Sequence, residues 1–209
     1  MANEPENGTA PRHLRITDPS PWIVRFSSLI RSDGTVLDLA CGGGRHTRHL
    51  LEKGVKVVAV DRSVDAVADL AGDPRCEIIC ADLEANESVF ENGGILAGRV
   101  FEGVIVANYL HRALFANLVN AVASGGVFIY ETFARGNEVF TRPRNPDHLL
   151  KSGELLKLVE DKLDVVAYEH GIVEKGPIPG VIQRICAVRP ERPSARDDGE
   201  PEPRHVHPD

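Results

Sequence analysis

The chain is poor in aromatic residues, with Phe, Trp and Tyr making up 5% of its 209 residues. That is little material for a platform on which nucleic-acid bases could stack. It also lacks a basic surplus: 24 Lys and Arg stand against 31 Asp and Glu, for a formal net charge of -7. Proteins that grip a phosphate backbone do so with clustered cations, so nucleic acid is not favoured as a partner and a small-molecule substrate is. No apolar run has the length needed to cross a bilayer, so no membrane partner is expected. The acidic start Met1-Ala-Asn-Glu-Pro-Glu-Asn has neither the basic nor the apolar region of a secretion signal. The expected location is therefore cytoplasmic. Cys41, Cys76, Cys80 and Cys186 form no CxxC pair and sit in apolar or glycine-rich runs, which predicts reduced, mostly buried thiols. There is no GxxxxGK[ST] phosphate loop.

What is present is an alternation of strand-like and helix-like segments. Residues 1–18 are polar and aperiodic, and residues 190–209 are rich in proline and charge; both are expected to be disordered. The tail histidines His205 and His207 read as solvated. Between the tails, residues 19–189 are expected to form one domain. Ser20 and Pro21 suit the start of a helix, followed by Trp22, Ile23, Phe26, Leu29 and Ile30 at helical spacing. Short apolar runs at 35–40, 55–60, 76–80, 101–107 and 127–130 predict five strands. Helical patterns separate most of them, one expected to be capped by Ser63, one over 114–122 closed by Gly125-Gly126, and a short one within 84–98. A helix over 154–160 and strands over 163–168 and 181–188 complete the chain. Near-continuous apolar strands alternating with helices require a parallel sheet covered on both faces. The last two strands have no helix between them and must be antiparallel neighbours. The expectation is an α/β, Rossmann-like doubly wound sheet of seven strands, mostly parallel with an antiparallel last strand.

In such a sheet, ligands sit beyond the carboxyl ends of the strands. The segment Val36-Leu-Asp-Leu-Ala-Cys-Gly-Gly-Gly-Arg-His-Thr47 occupies that place on the first strand. Gly42 and Gly44 let the backbone turn tightly and approach a ligand. Asp61 closes the second strand, where a carboxylate can accept ribose hydroxyls, and Asp82 follows the third. A dinucleotide fingerprint requires Gly or Ala where Thr47 stands, and Asp38 would repel a pyrophosphate and suits a cationic ligand instead.

Asp38-x-Ala40-Cys41-Gly42-x-Gly44 resembles the first motif of the class I S-adenosylmethionine-dependent methyltransferases, with Ala40 in place of that family's first glycine. Asp61 matches its ribose-binding acid, and Asp82 with Leu83 resembles its adenine-reading pair. The closing antiparallel strands are similar to the family's seven-stranded sheet, and the likeness runs from about residue 35 to 188. The resemblance implies S-adenosyl-L-methionine as cofactor, held by Asp38, Ala40, Cys41, Gly42, Gly44, Arg45, Asp61, Arg62, Asp82, Leu83 and Asn108. It implies an enzyme, a methyltransferase similar in size to the tellurite-resistance type. Asp38 is expected to meet the cofactor's positive end and Arg45 its carboxylate, with His46 near the cofactor or capping the turn.

The acceptor side is expected in the loops after strands four and five. His111 has the ordinary pKa of a general base, and Tyr109 can line the pocket; these two are the catalytic candidates. Glu131 and Thr132 end the fifth strand, and Arg142 and Arg144 in the loop Thr141-Arg-Pro-Arg-Asn-Pro-Asp-His148 suit an acidic substrate; these four are the substrate candidates. Asn108-Tyr109-Leu110-His111 lacks both prolines of the Asn/Asp-Pro-Pro-aromatic motif of related amino-group methyltransferases. No metal site is expected, because His46 and His49 have no third ligand at a suitable spacing. The function read from the sequence is methyl transfer to a small molecule or small anion. The alternatives are a non-catalytic cofactor-binding module and, with less support, an NAD(P)-dependent oxidoreductase.

Overall fold

A computed structural model describes residues 16–85, 89–174, 179–191 and 196–200. Its centre is a seven-stranded sheet in the order β3-β2-β1-β4-β5-β7-β6. The strands are β1 Thr35–Leu39, β2 Lys56–Asp61, β3 Cys76–Cys80, β4 Phe101–Ala107, β5 Val122–Phe133, β6 Asp164–Val173 and β7 Gly180–Val188. Strands β1 to β5 run parallel, and β7 lies antiparallel between β5 and β6. The expected doubly wound α/β sheet with its reversed last strand is the one found.

Among the described residues, four α-helices cover the sheet: α1 Pro21–Phe26, α2 Arg45–Glu52, α3 Phe115–Asn120 and α4 Glu154–Val159. Because successive side chains of a strand point to opposite faces, Val36, Ile105 and Ile129 pack under Trp22, Ile23 and Leu50, while Leu37, Val104 and Phe128 pack under Leu118, Leu155 and Val159. Ser20 caps α1 as the sequence predicts, its hydroxyl accepting from the Trp22 N–H at 3.2 Å. α2 is tied to α1 through two histidines on one face. His46 Nε2 accepts from the Ser20 N–H at 3.2 Å, and His49 Nε2 lies 3.1 Å from the Ser27 hydroxyl.

Several local expectations are corrected. Residues 65–70 form a 3-10 helix that Ser63 does not cap. The Ser63 N–H is instead drawn to Asp61 Oδ1 at 3.1 Å, which holds the chain in a turn. Among the described residues, no helix separates β3 from β4, where turns run instead. Gly125 and Gly126 do not close α3 but lie inside β5, which begins five residues before the expected strand, at Val122. β6 and the loop region after β5 also differ: β6 runs on to Val173, and two 3-10 turns, Asn137–Val139 and Pro146–His148, interrupt the loop. Two of the four thiols are buried, Cys41 and Cys186, whereas Cys80 is exposed because β3 is an edge strand. The expected disordered tails fall mostly outside the described residues, as do His205 and His207. Of residues 16–18, at the end of the expected tail, Ile16 is half-buried and Thr17 and Asp18 are exposed.

The turn after β1 depends on a close approach. Gly44 starts α2 with φ 73°, and a Cβ there would lie 2.4 Å from Val67 Cγ1. Left-handed backbone costs a non-glycine residue about 1–2 kcal/mol, and displacing Val67 adds to it. Gly44→Ala is therefore expected to lower the unfolding free energy by about 2 kcal/mol or more in denaturant titrations. Adding Val67→Ala should relieve part of that loss, so the double variant loses less than the sum of the singles.

Candidate active site

The carboxyl ends of the parallel strands are stitched together by backbone bonds that continue the sheet. Cys41 N–H donates to Val60 O at 3.1 Å, Ala81 N–H to Asp61 O at 3.0 Å, and Asn108 N–H to Glu131 O at 2.8 Å. Beyond these bonds the chain turns sharply. Ala40 and Asn108 both hold left-handed backbone without being glycine, with φ 57° and 55°. That conformation is uncommon outside glycine, and Asn tolerates it better than Ala.

Asp61 ties the first turn to the second strand, its Oδ2 accepting from the Gly42 N–H at 2.8 Å. A carboxylate offers about four lone-pair positions, so two remain for a ligand after the bonds to Gly42 and Ser63. A cavity of about 320 Å³ opens beside this pair. Its floor is Ala40, Cys41, Gly42 and Gly43. By strand order Asp82, Leu83 and Glu84 lie toward β3 and Asn108 and Tyr109 toward β4, and Arg45, His46 and Ile16 complete the lining. Asp61 and Arg62 stand at the rim of β2.

Three carboxylates and two guanidiniums line this space, and burial decides how its other groups titrate. His46, 3% exposed, is pulled down to about 3 by burial and then by the neighbouring Arg45 and His49, so it is a neutral acceptor at physiological pH. Burial, then the adjacent Asp38 and Asp61 charges, pushes the Cys41 thiol well above its ordinary range. Burial and the nearby Glu84 carboxylate likewise push Tyr109 up. Its hydroxyl is buried and forms no hydrogen bond of good geometry among the described residues. Tyr109 lines the cavity, as the sequence reading expects.

Several expected site residues lie elsewhere. Asp38 is 1% exposed and sits behind the cavity floor, where its Oδ2 accepts from the Thr47 hydroxyl at 2.6 Å. It supports the turn and does not line the cavity. Gly44 likewise faces Val67 and not the cavity. His111 lies outside the lining, at the start of the 3-10 turn Arg112–Leu114. Glu131 is buried 3.5 Å from Arg184, and Thr132 is buried in the sheet. Arg142 and Arg144 are exposed on the loop after β5.

That loop is held firmly from beneath. The fully buried Asn137 donates from Nδ2 to Thr141 O at 3.2 Å and Pro143 O at 3.0 Å. Arg112 donates to Asp147 O at 2.6 Å and Leu149 O at 2.9 Å while pairing with Glu154 at 2.6 Å. Arg112 and Asn137 were not singled out in the sequence, and neither were the cavity residues Ile16, Gly43, Glu84 and Ala107. Gly43 stands inside the glycine triplet and Glu84 beside the Asp82-Leu83 pair, so those two had a local signal. Ile16 had none, being one apolar residue in a polar stretch.

Residues 36–126 match the family model described as a methyltransferase domain. A curated relative, the ribosomal RNA small subunit methyltransferase H of Gemmatimonas aurantiaca, is 28% identical over 176 residues, which is 83% of this chain and 52% of that protein. The chain thus spans about half the length of that relative. Among solved structures, TehB from Haemophilus influenzae superposes with a TM-score of 0.59 at 18% identity, covering 78% of this chain and 60% of that one. The 1,6-didemethyltoxoflavin-N1-methyltransferase of Burkholderia thailandensis, solved with S-adenosylhomocysteine, gives 0.58 at 20% identity, covering 80% and 75%. The match over residues 36–126 is thus to a methyltransferase domain, and the fold is one that these solved proteins share.

Burial raises Asp38 to about 6, the Thr47 hydroxyl and N–H opposing the rise without cancelling it. A folded-state pKa above the unfolded one stabilises the protein fully below the unfolded value near 3.8 and loses that contribution as pH rises through 6. Asp38→Asn keeps an acceptor for Thr47 and removes the titration. Its stability relative to wild type is expected to rise by about 2 kcal/mol between pH 4 and 7 in urea titrations. A flat difference across that range would contradict the buried, raised carboxyl.

Proposed function

We propose that this methyltransferase moves a methyl group from S-adenosyl-L-methionine, bound in the cavity at the strand ends, to a small-molecule or small-anion acceptor. The observation that carries the reading is the bond from the Gly42 N–H to Asp61 Oδ2 at 2.8 Å, on the edge of a cavity of about 320 Å³. It places a carboxylate with unused lone pairs beside a backbone stretch, Gly42-Gly43, that has no side chains to fill the space. When bound, the cofactor supplies a methyl group activated by a positively charged sulfur, so the protein has mainly to bind, orient and exclude water.

The roles follow from position. Asp61 accepts the ribose hydroxyls, and Asp82, Leu83 and Glu84 surround the base. Arg45, which also lines the cavity, meets the carboxylate of the amino-acid moiety, with the backbone at Cys41 and Gly42 beneath it. The carboxylates around the cavity favour a ligand carrying positive charge. Asp38 acts through the turn it braces.

We assign the acceptor side to the loop after β5, outside the cavity lining, where Arg142 and Arg144 are exposed on a backbone held by Asn137 and Arg112; two cations there fit an anionic acceptor. Ordering a cationic pair before binding lowers the entropy lost when an anion docks. A ribosomal RNA acceptor is the second reading, favoured by the name of the curated relative and opposed by the net charge of -7. The two readings differ in salt response, since phosphate-backbone binding weakens steeply as salt rises.

Calorimetry is expected to show S-adenosylhomocysteine binding, with Asp61→Ala weakening it by about a hundredfold through loss of both the sugar contact and the Gly42 tether. In thermal-shift assays S-adenosylhomocysteine should stabilise the protein while NAD and NADP do not. No binding at millimolar S-adenosylhomocysteine would defeat the proposal. Within an acceptor panel, Arg142→Ala/Arg144→Ala should raise KM about tenfold for anionic acceptors and leave neutral ones unchanged; equal effects on both would remove the arginines from the acceptor site.

A further inference from the structure

We infer that residues 16–20 form a strap fastened across the cavity by the first two residues of α2, and that His46 is the positioning residue that holds it there. The inference rests on the reading of the cavity as the S-adenosyl-L-methionine site.

The strap has one fixed end and two fastenings. Its fixed end is α1, where Trp22 is buried and donates from Nε1 to Ile185 O at 3.3 Å, with Arg184 stacked on its ring at 4.6 Å. Nearer the cavity, the Ser20 N–H donates to His46 Nε2 at 3.2 Å, and Arg45 Nη1 donates to Asp18 O at 3.0 Å. Beyond the second fastening, Ile16 lies in the cavity wall. Both fastening residues follow directly on Gly44, so the cavity floor and the strap are joined through two consecutive side chains.

The sequence makes this segment stiff. Asp18 and Ser20 each precede a proline, which biases both toward extended backbone, and Ser20 sits at φ -60° and ψ 132°. A stiff segment released from His46 and Arg45 swings as a unit about its junction with α1. Ile16 then leaves the cavity wall and the space opens. A ligand that packs against Ile16 favours the closed strap, and by linkage the closed strap binds the ligand more tightly, a gain expected mainly in the dissociation rate.

His46 is suited to the task by its charge state. At 3% exposure it stays neutral, so Nε2 presents a lone pair to Ser20 across the physiological range. A glutamine side chain can place its Oε1 near the same point, whereas leucine of similar bulk offers no acceptor. This contrast separates the hydrogen bond from mere packing.

The test uses the full chain and S-adenosylhomocysteine as probe, with dissociation followed by stopped-flow displacement and amide exchange followed residue by residue. In the ligand-free protein the Ser20 amide should be protected in wild type and in His46→Gln, and should exchange freely in His46→Leu while β4 and β5 amides stay unchanged. S-adenosylhomocysteine should dissociate about tenfold faster from His46→Leu and from Ile16→Ala, and at a near wild-type rate from His46→Gln. Ile16→Ala leaves α1 and α2 intact and so keeps the test decisive if His46→Leu folds poorly. A wild type that binds S-adenosylhomocysteine with a dissociation rate indifferent to both substitutions, or whose Ser20 amide is unprotected, overturns the strap alone. A wild type that binds none overturns the methyltransferase reading beneath it.

Discussion

The hydrogen bond from the Gly42 N–H to the Asp61 carboxylate is the contact on which the rest of the site depends. It joins the turn after β1 to the end of β2, two points 19 residues apart in sequence. The same carboxylate also captures the Ser63 N–H, so it fixes the exit of β2 just before the short 3-10 helix at 65–70. That helix carries Val67 against Gly44, which determines how closely α2 can approach the sheet. One side chain thus shapes the cavity floor and one rim. A carboxylate is suited to this because it accepts several hydrogen bonds at once, and those to backbone amides are strengthened by its charge.

The backbone around the cavity is held in conformations that its residues do not favour. Ala40 and Asn108 end adjacent strands, β1 and β4, and both are left-handed. Strain of this kind persists only where the surroundings over-determine it. Here the surroundings are the sheet bonds on either side: Cys41 to Val60, and Asn108 to Glu131. Tyr130, buried in β5, adds a further restraint by donating from its hydroxyl to Tyr109 O at 2.8 Å. The floor of the cavity and its β4 side are therefore set by the fold before any ligand arrives.

Legibility in the sequence tracked how local each cause was. The runs Cys76–Cys80 and Phe101–Ala107 are dense in apolar and β-forming residues, and their bounds coincide with β3 and β4. Ser20-Pro21 marked the start of α1 because capping is a contact over two residues. Ser63 misled although the competing contact is just as local: its N–H goes to the Asp61 carboxylate two residues back, and the 3-10 helix starts after Val64 with no side-chain cap. Gly125-Gly126 read as a terminator because glycine usually ends a helix, yet here the chain had already left α3 and both glycines serve inside β5. Asp38 and Gly44 were placed on the ligand by motif position, but their side of the turn faces Thr47 and Val67, which no spacing rule reveals. Ile16, Asn137 and Arg112 act through partners 20 or more residues away or through backbone carbonyls, and such contacts leave no periodic trace.

The cavity floor and the loop after β5 are built by different means. On the cavity floor, strand ends and a carboxylate fix the backbone, and side chains have little freedom to vary it. On the outer side, the loop after β5 owes its shape to Asn137 and Arg112, whose bonds go chiefly to carbonyl oxygens. Carbonyls are present whatever the side chain, so the intervening residues can change without loss of the support. Arg142, Arg144, Val139 and Phe140 are all exposed on that supported loop. A surface whose framework is independent of its side chains tolerates their exchange, whereas the strand ends, where side chain and backbone are bonded to each other, do not.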